Sequence, residues 1–329
     1  MAFKIDNDIV ISNDKMYFGP SGDSLHGGWK YYTMPTRGIV LGGYKDSVSW
    51  YTVNKATYAT DTTSNLGDIM SKTLVYNPGM PSERHAFGIG MNDSTDNSAD
   101  TDDVGKVDYS TESFTFQSGV MPNNRNHADT VVDEENQIGY VIGGGTTAID
   151  KCTFVTDTWA DTGLDSYYSS AGGDGSAHNG WVGHKYEENG SYTKLVFATV
   201  TPSNLSINVS RDRAKGMVVS EYYAYYFSGL SGTYGSMLEH VKVGYYTETA
   251  SLVSSLPSSV RGNNNYQGEN NNCAEPQAEL CYCLGGYNGV QNNLSCLFSS
   301  TTDTTTRTSS LDMIGHDGAS SGAANWGHA

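Results

Sequence analysis

KCTFVTDTWADTG, residues 151–163, alternates apolar and polar side chains, breaks at Thr156 and Asp157, and resumes at Trp159. Alternation with a period of two marks a strand that buries one face. Threonine suits a pleated backbone and a Thr-Asp pair suits a tight turn, so the stretch predicts a hairpin. The same design recurs in VSWYTVNKATYAT from Val48, KVDYSTESFTFQ from Lys106, KLVFATVTPSNLSINV from Lys194, HVKVGYYTETASLV from His240 and LSCLFSSTTDTTTRT from Leu294. Hairpins spaced by roughly fifty residues predict an all-β fold built from a repeated unit, six times over in this chain.

Two signals flank these hairpins. Upstream of several, an apolar run ends in glycine: GIVLGGY with Gly42 and Gly43, GYVIGGG with Gly143 and Gly144, YYFSGL with Gly229, and YCLGGYNG with Gly285 and Gly286. Adjacent glycines permit positive φ and close backbone approach. Downstream of several stands Met or Leu, then Pro, then Arg: Met34, Pro35, Arg37; Met80, Pro81, Arg84; Met121, Pro122, Arg125; Leu256, Pro257, Arg261. The proline is expected to end a strand, and the arginine to hydrogen-bond loop carbonyls in the crossing to the next unit.

A strand ending in Gly-Gly, a strand with Tyr or Phe, Trp or Phe after a turn, then Pro and Arg resembles the kelch-type β-propeller over residues 34–329. The resemblance implies a propeller of six blades. The chain departs from the pattern at FGIGMN and GWVGHK, where Gly-Gly is expected, and only Trp159 occupies the Trp position. The first blade, MPTRGIVLGGY, has no room for its own inner strand, whereas the chain ends in HDGASSGAANWGHA beyond the last hairpin. A strand near residues 320–326 is therefore expected beside residues 38–43, closing the ring and removing an exposed edge.

Residues 1–33 match none of these signals. MAFKIDNDIVISNDKMYFGP resembles the opening of bacteriophage tail-fibre and virion structural proteins, which implies an N-terminal arm that attaches to a virion. The alternative is an extra strand packed on the propeller. Ile9, Val10, Ile11, Tyr17 and Phe18 are the candidate partner-binding residues, with Ile9, Val10 and Ile11 expected to add as a strand to a partner's sheet edge.

Composition fits many strands joined by many turns: 38 Gly and 23 Tyr, against 17% charged residues. A formal net charge of -17 repels a phosphate backbone, so nucleic acid is not an expected partner. No run reaches the roughly 18 apolar residues of a spanning helix, and the N-terminus lacks a secretory apolar region, so membrane insertion is not expected. Synthesis in a host cytoplasm and residence in the virion in multiple copies are the expectation. Cys152, Cys273, Cys281, Cys283 and Cys296 contain no CxxC and read as small buried residues kept reduced.

Two segments are candidate ligand sites. MNDSTDNSADTDDVG carries Asp93, Asp96, Asp100, Asp102 and Asp103, an oxygen-rich loop that either holds a structural calcium ion or is simply a solvated acidic loop, with no other cofactor expected. Tyr167 and Tyr168, in DSYYSSAGG, offer flat rings with polar tips suited to a host-surface glycan or receptor. His85, His127, His178, His184 and His240 read as hydrogen-bonded loop residues rather than metal ligands. There are no paired glycosidase carboxylates and no sialidase box, so a non-enzymatic role is expected. The rival reading is a cellular kelch-like carbohydrate-binding protein or a degenerate glycan hydrolase.

Overall fold

In the computed structural model the protein is all-β. Among the described residues the elements are antiparallel strands, with a 3-10 turn at Tyr58–Thr60 and no α-helix. The structure describes the backbone of the strands named below and of their ordered connections. It describes side chains chiefly over residues 37–42, 51–57, 59–74, 79–91, 101–125, 128–133, 136–166 and 193–204.

After an N-terminal sheet, six four-stranded sheets follow one another. The first comprises Gly322–Ala324, Arg37–Leu41, Val53–Thr57 and Thr62–Gly67, and the second Gly79–Pro81, His85–Ile89, Val104–Asp108 and Phe114–Gln117. The third comprises Ala128–Asp133, Ile138–Gly143, Ala148–Thr153 and Thr158–Asp165, and the fourth Gly172–Gly175, Asn179–Gly183, Ser191–Val196 and Thr201–Ser206. The fifth comprises Met217–Val219, Tyr223–Phe227, Glu239–Gly244 and Ala250–Ser255, and the sixth Asn271–Glu275, Leu280–Leu284, Cys296–Ser299 and Thr304–Arg307. Five of the six hairpins expected from sequence are the third and fourth strands of one of these sheets; VSWYTVNKATYAT, residues 48–60, holds the third strand Val53–Thr57 and the start of its turn, while the fourth strand, Thr62–Gly67, lies beyond it. The strand expected near the C-terminus pairs antiparallel with the first sheet, Gly322 opposite Leu41 and Ala324 opposite Ile39.

The turns between third and fourth strands share one local solution. A hydroxyl residue stands on each side of a central residue, and the two hydroxyls bond each other: Thr60 with Thr62 at 2.7 Å, Thr111 with Ser113 at 2.7 Å, Thr156 with Thr158 at 2.8 Å, Thr247 with Thr249 at 2.8 Å and Thr302 with Thr304 at 2.6 Å. In the fourth sheet the Thr201 hydroxyl instead donates to the Thr199 carbonyl at 3.3 Å. The central residue takes a left-handed conformation, with φ of 49° at Asp61, 54° at Glu112, 54° at Asp157 and 49° at Val200. This accounts for the interruption at Thr156 and Asp157: alternation stops because the chain reverses there. Val155, at the tip, is 81% exposed, while Phe154 and Trp159 return to the core.

The core lies between consecutive sheets. Ile39, Leu41 and Val53 of the first meet Ala86, Val107 and Tyr109 of the second; Met80, Phe87 and Val104 of the second meet Val141, Cys152 and Trp159 of the third; Tyr140, Ile142 and Ile149 of the third meet Leu195 and Phe197 of the fourth. Period-two alternation lets one sheet serve two neighbours: Val141 faces one way and Tyr140 and Ile142 the other. Phe87 stacks on Phe154 at 5.7 Å and meets Trp159 edge-on at 6.4 Å, and Tyr140 stacks on Phe197 at 5.7 Å. First strands touch in chain order, Gly79–Pro81 to Ala128–Asp133, then Gly172–Gly175, Met217–Val219 and Asn271–Glu275. Gly322–Ala324 touches both the last and the first of these.

Three expectations need correction. FGIGMN does carry the required glycine: Gly90 has φ of 67°, matching Gly42 at 64° and Gly143 at 72°, and Met91 takes the place of the second glycine. The Met-Pro-Arg signal marks two different places: Pro81 ends the first strand of its sheet, as expected of the proline, but Arg84 stands between the first and second strands of that sheet, whereas Arg125 lies in a crossing. The third concerns residues 1–33. Ala2–Ile5, Ile9–Ser12, Lys15–Phe18 and Lys30–Tyr32 form a four-stranded sheet of their own, in that order. Ile9, Val10 and Ile11 are paired on both edges, opposite Ile5, Lys4 and Phe3 on one side and Phe18, Tyr17 and Met16 on the other. Their backbone is already hydrogen-bonded within the chain, so they cannot add as a strand to a partner's sheet.

The glycine requirement is testable. A Cβ on Gly42 would sit 2.8 Å from the Leu74 carbonyl oxygen and 3.0 Å from its nitrogen, besides the strain of φ +64°; at Gly163, φ +70°, nothing lies within 4 Å. Gly163→Ala is expected to cost about 1–2 kcal/mol, the left-handed penalty alone, and Gly42→Ala clearly more. Urea unfolding of the two variants checks this, and equal costs would refute it.

Candidate functional site

The described residues build the stems on which the candidate loops stand. In an antiparallel four-stranded sheet, the connection between second and third strands and the exit from the fourth leave at the same end. The first three sheets tie these two segments together. In the first, Met70 N–H donates to the Tyr51 carbonyl at 3.2 Å and the Thr52 hydroxyl to the Asp68 carboxylate. In the second, Val120 and Met121 N–H groups donate to the Asp102 carbonyl at 3.2 and 3.1 Å, and Gly119 N–H to Asp103 Oδ1 at 2.9 Å. In the third, Ser166 N–H donates to the Thr147 carbonyl at 2.7 Å and the Thr147 hydroxyl to Asp165 Oδ1 at 2.8 Å.

Arg125 locks the second stem to the third. Its side chain is fully buried, and its backbone exchanges hydrogen bonds with Thr101, at 2.8 Å as donor and 3.2 Å as acceptor. The guanidinium donates Nη2 to Asp150 Oδ2 at 2.5 Å and Nε to the same oxygen at 3.1 Å. Its Nη1 donates to the Gly143 and Ala148 carbonyls at 2.6 and 2.9 Å. Asn123 Nδ2 supplies the other Asp150 oxygen at 2.7 Å. The planar fork of arginine is what allows one side chain to satisfy a carboxylate and two carbonyls at once. The expected role for arginine in the crossing is met at Arg125; Arg37 instead opens the strand Arg37–Leu41, from which its Nη1 donates to the Tyr109 carbonyl at 2.8 Å.

On these stems the sequence candidates divide. Asp102 and Asp103 serve as hydrogen-bond acceptors in the second stem; Asp93, Asp96 and Asp100 lie outside the described residues. Among the described residues no group of three or more His, Cys, Asp or Glu is placed to hold a metal ion. Tyr167 and Tyr168 lie outside the described residues, immediately after Ser166, which is 3% exposed and held by Thr147 through both backbone and hydroxyl. Ile9, Val10, Ile11, Tyr17 and Phe18 have described backbone pairings only. Of the histidines with a described environment, His85 packs edge-on against Phe87 at 5.7 Å, with Nε2 3.6 Å from Asp108; burial holds its pKa below the usual value. Asp108 is pulled down to about 2, foremost by the Ser110 hydroxyl, because it accepts from the hydroxyls and N–H groups of Ser110 and Thr111 in its turn. Burial pushes the Cys152 thiol up to about 12, which suits a packed residue rather than a reactive one.

Sequence reasoning missed a recurring ion pair. Lys55 Nζ reaches Glu112 Oε1 at 2.5 Å, and Lys106 pairs with Asp157: each lysine is in a third strand and each acid is the central residue of the next sheet's turn. Lysine six residues before the central turn position, at Lys55, Lys106, Lys151, Lys194 and Lys242, was the available signal, and it stands in the hairpin sequences themselves. Set beside known proteins, the chain matches no family model and no curated protein.

Proposed function

We propose that the six four-stranded sheets are the blades of a kelch-like β-propeller closed by Gly322–Ala324, and that the protein is a non-enzymatic bacteriophage virion component. The propeller would attach the particle to a host surface or join it to other virion proteins. The observation that carries the architecture is the contact of first strands in chain order, with Gly322–Ala324 against those of both the second and the sixth sheets. Cores shared between consecutive sheets support the same arrangement. In a ring, the ends tied by Arg125 and by Thr147 with Ser166 share one face. That face would carry residues 92–100, Tyr167 with Tyr168, and residues 263–270, loops free to vary over a rigid support.

The virion assignment is supported by the likeness of residues 1–20 to phage structural proteins and by the sheet that residues 1–33 form outside the six-sheet series. With Ile9, Val10 and Ile11 paired internally, attachment would use one of the two faces of that sheet, Tyr17 belonging to one and Phe18 to the other, or its outer strands Ala2–Ile5 and Lys30–Tyr32. Expression of a chain lacking residues 1–33 during infection tests this: the truncated protein is expected to stay out of purified particles that hold the full-length chain in several copies. Normal incorporation of the truncated chain, or turnover of a sugar substrate by the full-length protein, would overturn the assignment.

A further inference from the structure

We infer that Cys283 and Cys296 form a site of covalent modification, a cross-strand disulfide within the sixth sheet. The antiparallel register of Leu280–Leu284 with Cys296–Ser299 sets Cys283 directly opposite Cys296. Directly opposed residues of an antiparallel pair share a face, and their Cα atoms are about 4.5 to 5.5 Å apart. A disulfide bridges Cα separations of roughly 4.4 to 6.8 Å, so the backbone needs no rearrangement.

The register also discriminates among the four cysteines of this sheet. Cys281 is opposite Phe298, leaving it diagonal to Cys296 at a spacing of about 7 to 8 Å, outside bridging range. Cys281 and Cys283, two apart on one extended strand, share a face with a Cβ separation close to their Cα separation, about 6.6 Å, beyond the roughly 3.5 to 4.5 Å between the Cβ atoms of a disulfide. Cys273 is opposite Tyr282, one position out of step with Cys283 and therefore on the other face of the sheet. One pair alone is geometrically matched, which sequence spacing by itself does not reveal.

The chemistry balances with glutathione disulfide as oxidant. One protein thiolate attacks a glutathione sulfur and releases a glutathione thiolate. The second protein thiolate attacks the mixed disulfide and releases the other. The two protein thiols lose two electrons and two protons, and glutathione disulfide is reduced to two molecules of glutathione. A chain made in a reducing compartment would carry both thiols, and the bond would close on transfer to an oxidising medium.

The test uses the full-length chain, purified reduced and then incubated with glutathione disulfide. After blocking of remaining thiols and digestion without reductant, mass spectrometry is expected to find the peptides of Cys283 and Cys296 linked, with Cys152, Cys273 and Cys281 blocked. The oxidised protein should melt above the reduced one, and that difference should vanish in Cys296→Ser. Complete blocking of Cys283 and Cys296 after denaturation of the oxidised sample, or linkage through Cys273 or Cys281 instead, would overturn the proposal. The outcome is independent of the virion assignment, because it is read on the purified protein.

Discussion

Arg125→Ala is expected to destabilise the protein by about 3–5 kcal/mol, the cost of leaving a buried carboxylate without its partner. Asp150 is fully buried, and Arg125 supplies two of its hydrogen bonds. Removing the guanidinium leaves that charge with Asn123 as its remaining donor in the network and strips the Gly143 and Ala148 carbonyls of a shared donor. Asp150→Ala should cost a similar amount, since it strands the guanidinium instead. The double variant Arg125→Met, Asp150→Leu should cost less than the two single losses combined, because no unpaired charge remains in the interior. Urea unfolding of the set measures the coupling. A single-variant cost below about 1 kcal/mol, or simple additivity, would show that the pair is solvated and does not clamp the stems.

What was legible in the sequence was local. Alternation in CTF and the Thr-Asp-Thr turn lie within a dozen residues of each other, so period and turn chemistry identify the hairpin without knowledge of its surroundings. The pairing of Gly322–Ala324 with Arg37–Leu41 could also be read, because the first repeat has no room for a strand ahead of residue 37 and a segment remains after the last hairpin. The N-terminal sheet was missed although its punctuation is present: Asp6, Asn7 and Asp8, then Asn13 and Asp14, separate short apolar runs as turn residues do. Arg125 was assigned to loop carbonyls, but its carboxylate partner is 25 positions away and depends on how the crossing packs on the next sheet. The Lys106–Asp157 pair spans 51 positions between two sheets and needs the stacking order to be known. Long-range polar pairing is set by tertiary geometry, on which a single sequence has little hold.

Deleting residues 315–329 should have the largest effect of all on the fold. The segment contributes Gly322–Ala324, which covers one edge of Arg37–Leu41. That strand is interior in every sense: Ile39, Val40 and Leu41 are at most 1% exposed, and its other edge is paired with Val53–Thr57. Deletion leaves backbone donors and acceptors of these residues without partners. Each buried orphan costs roughly 1–3 kcal/mol, so the total should reach at least about 3 kcal/mol even if water reaches part of the edge. Gly79–Pro81 and Asn271–Glu275 lose the strand packed between them as well, so the damage would extend into the second and sixth sheets. A marked fall in melting temperature is expected, with concentration-dependent association as the freed edge recruits strands from other chains. A synthetic peptide of residues 315–329 added in excess should restore part of the loss by mass action, binding the folded form alone. An unchanged melting temperature would mean that the two ends of the chain do not hold the sheets together, and ring closure would fail with it.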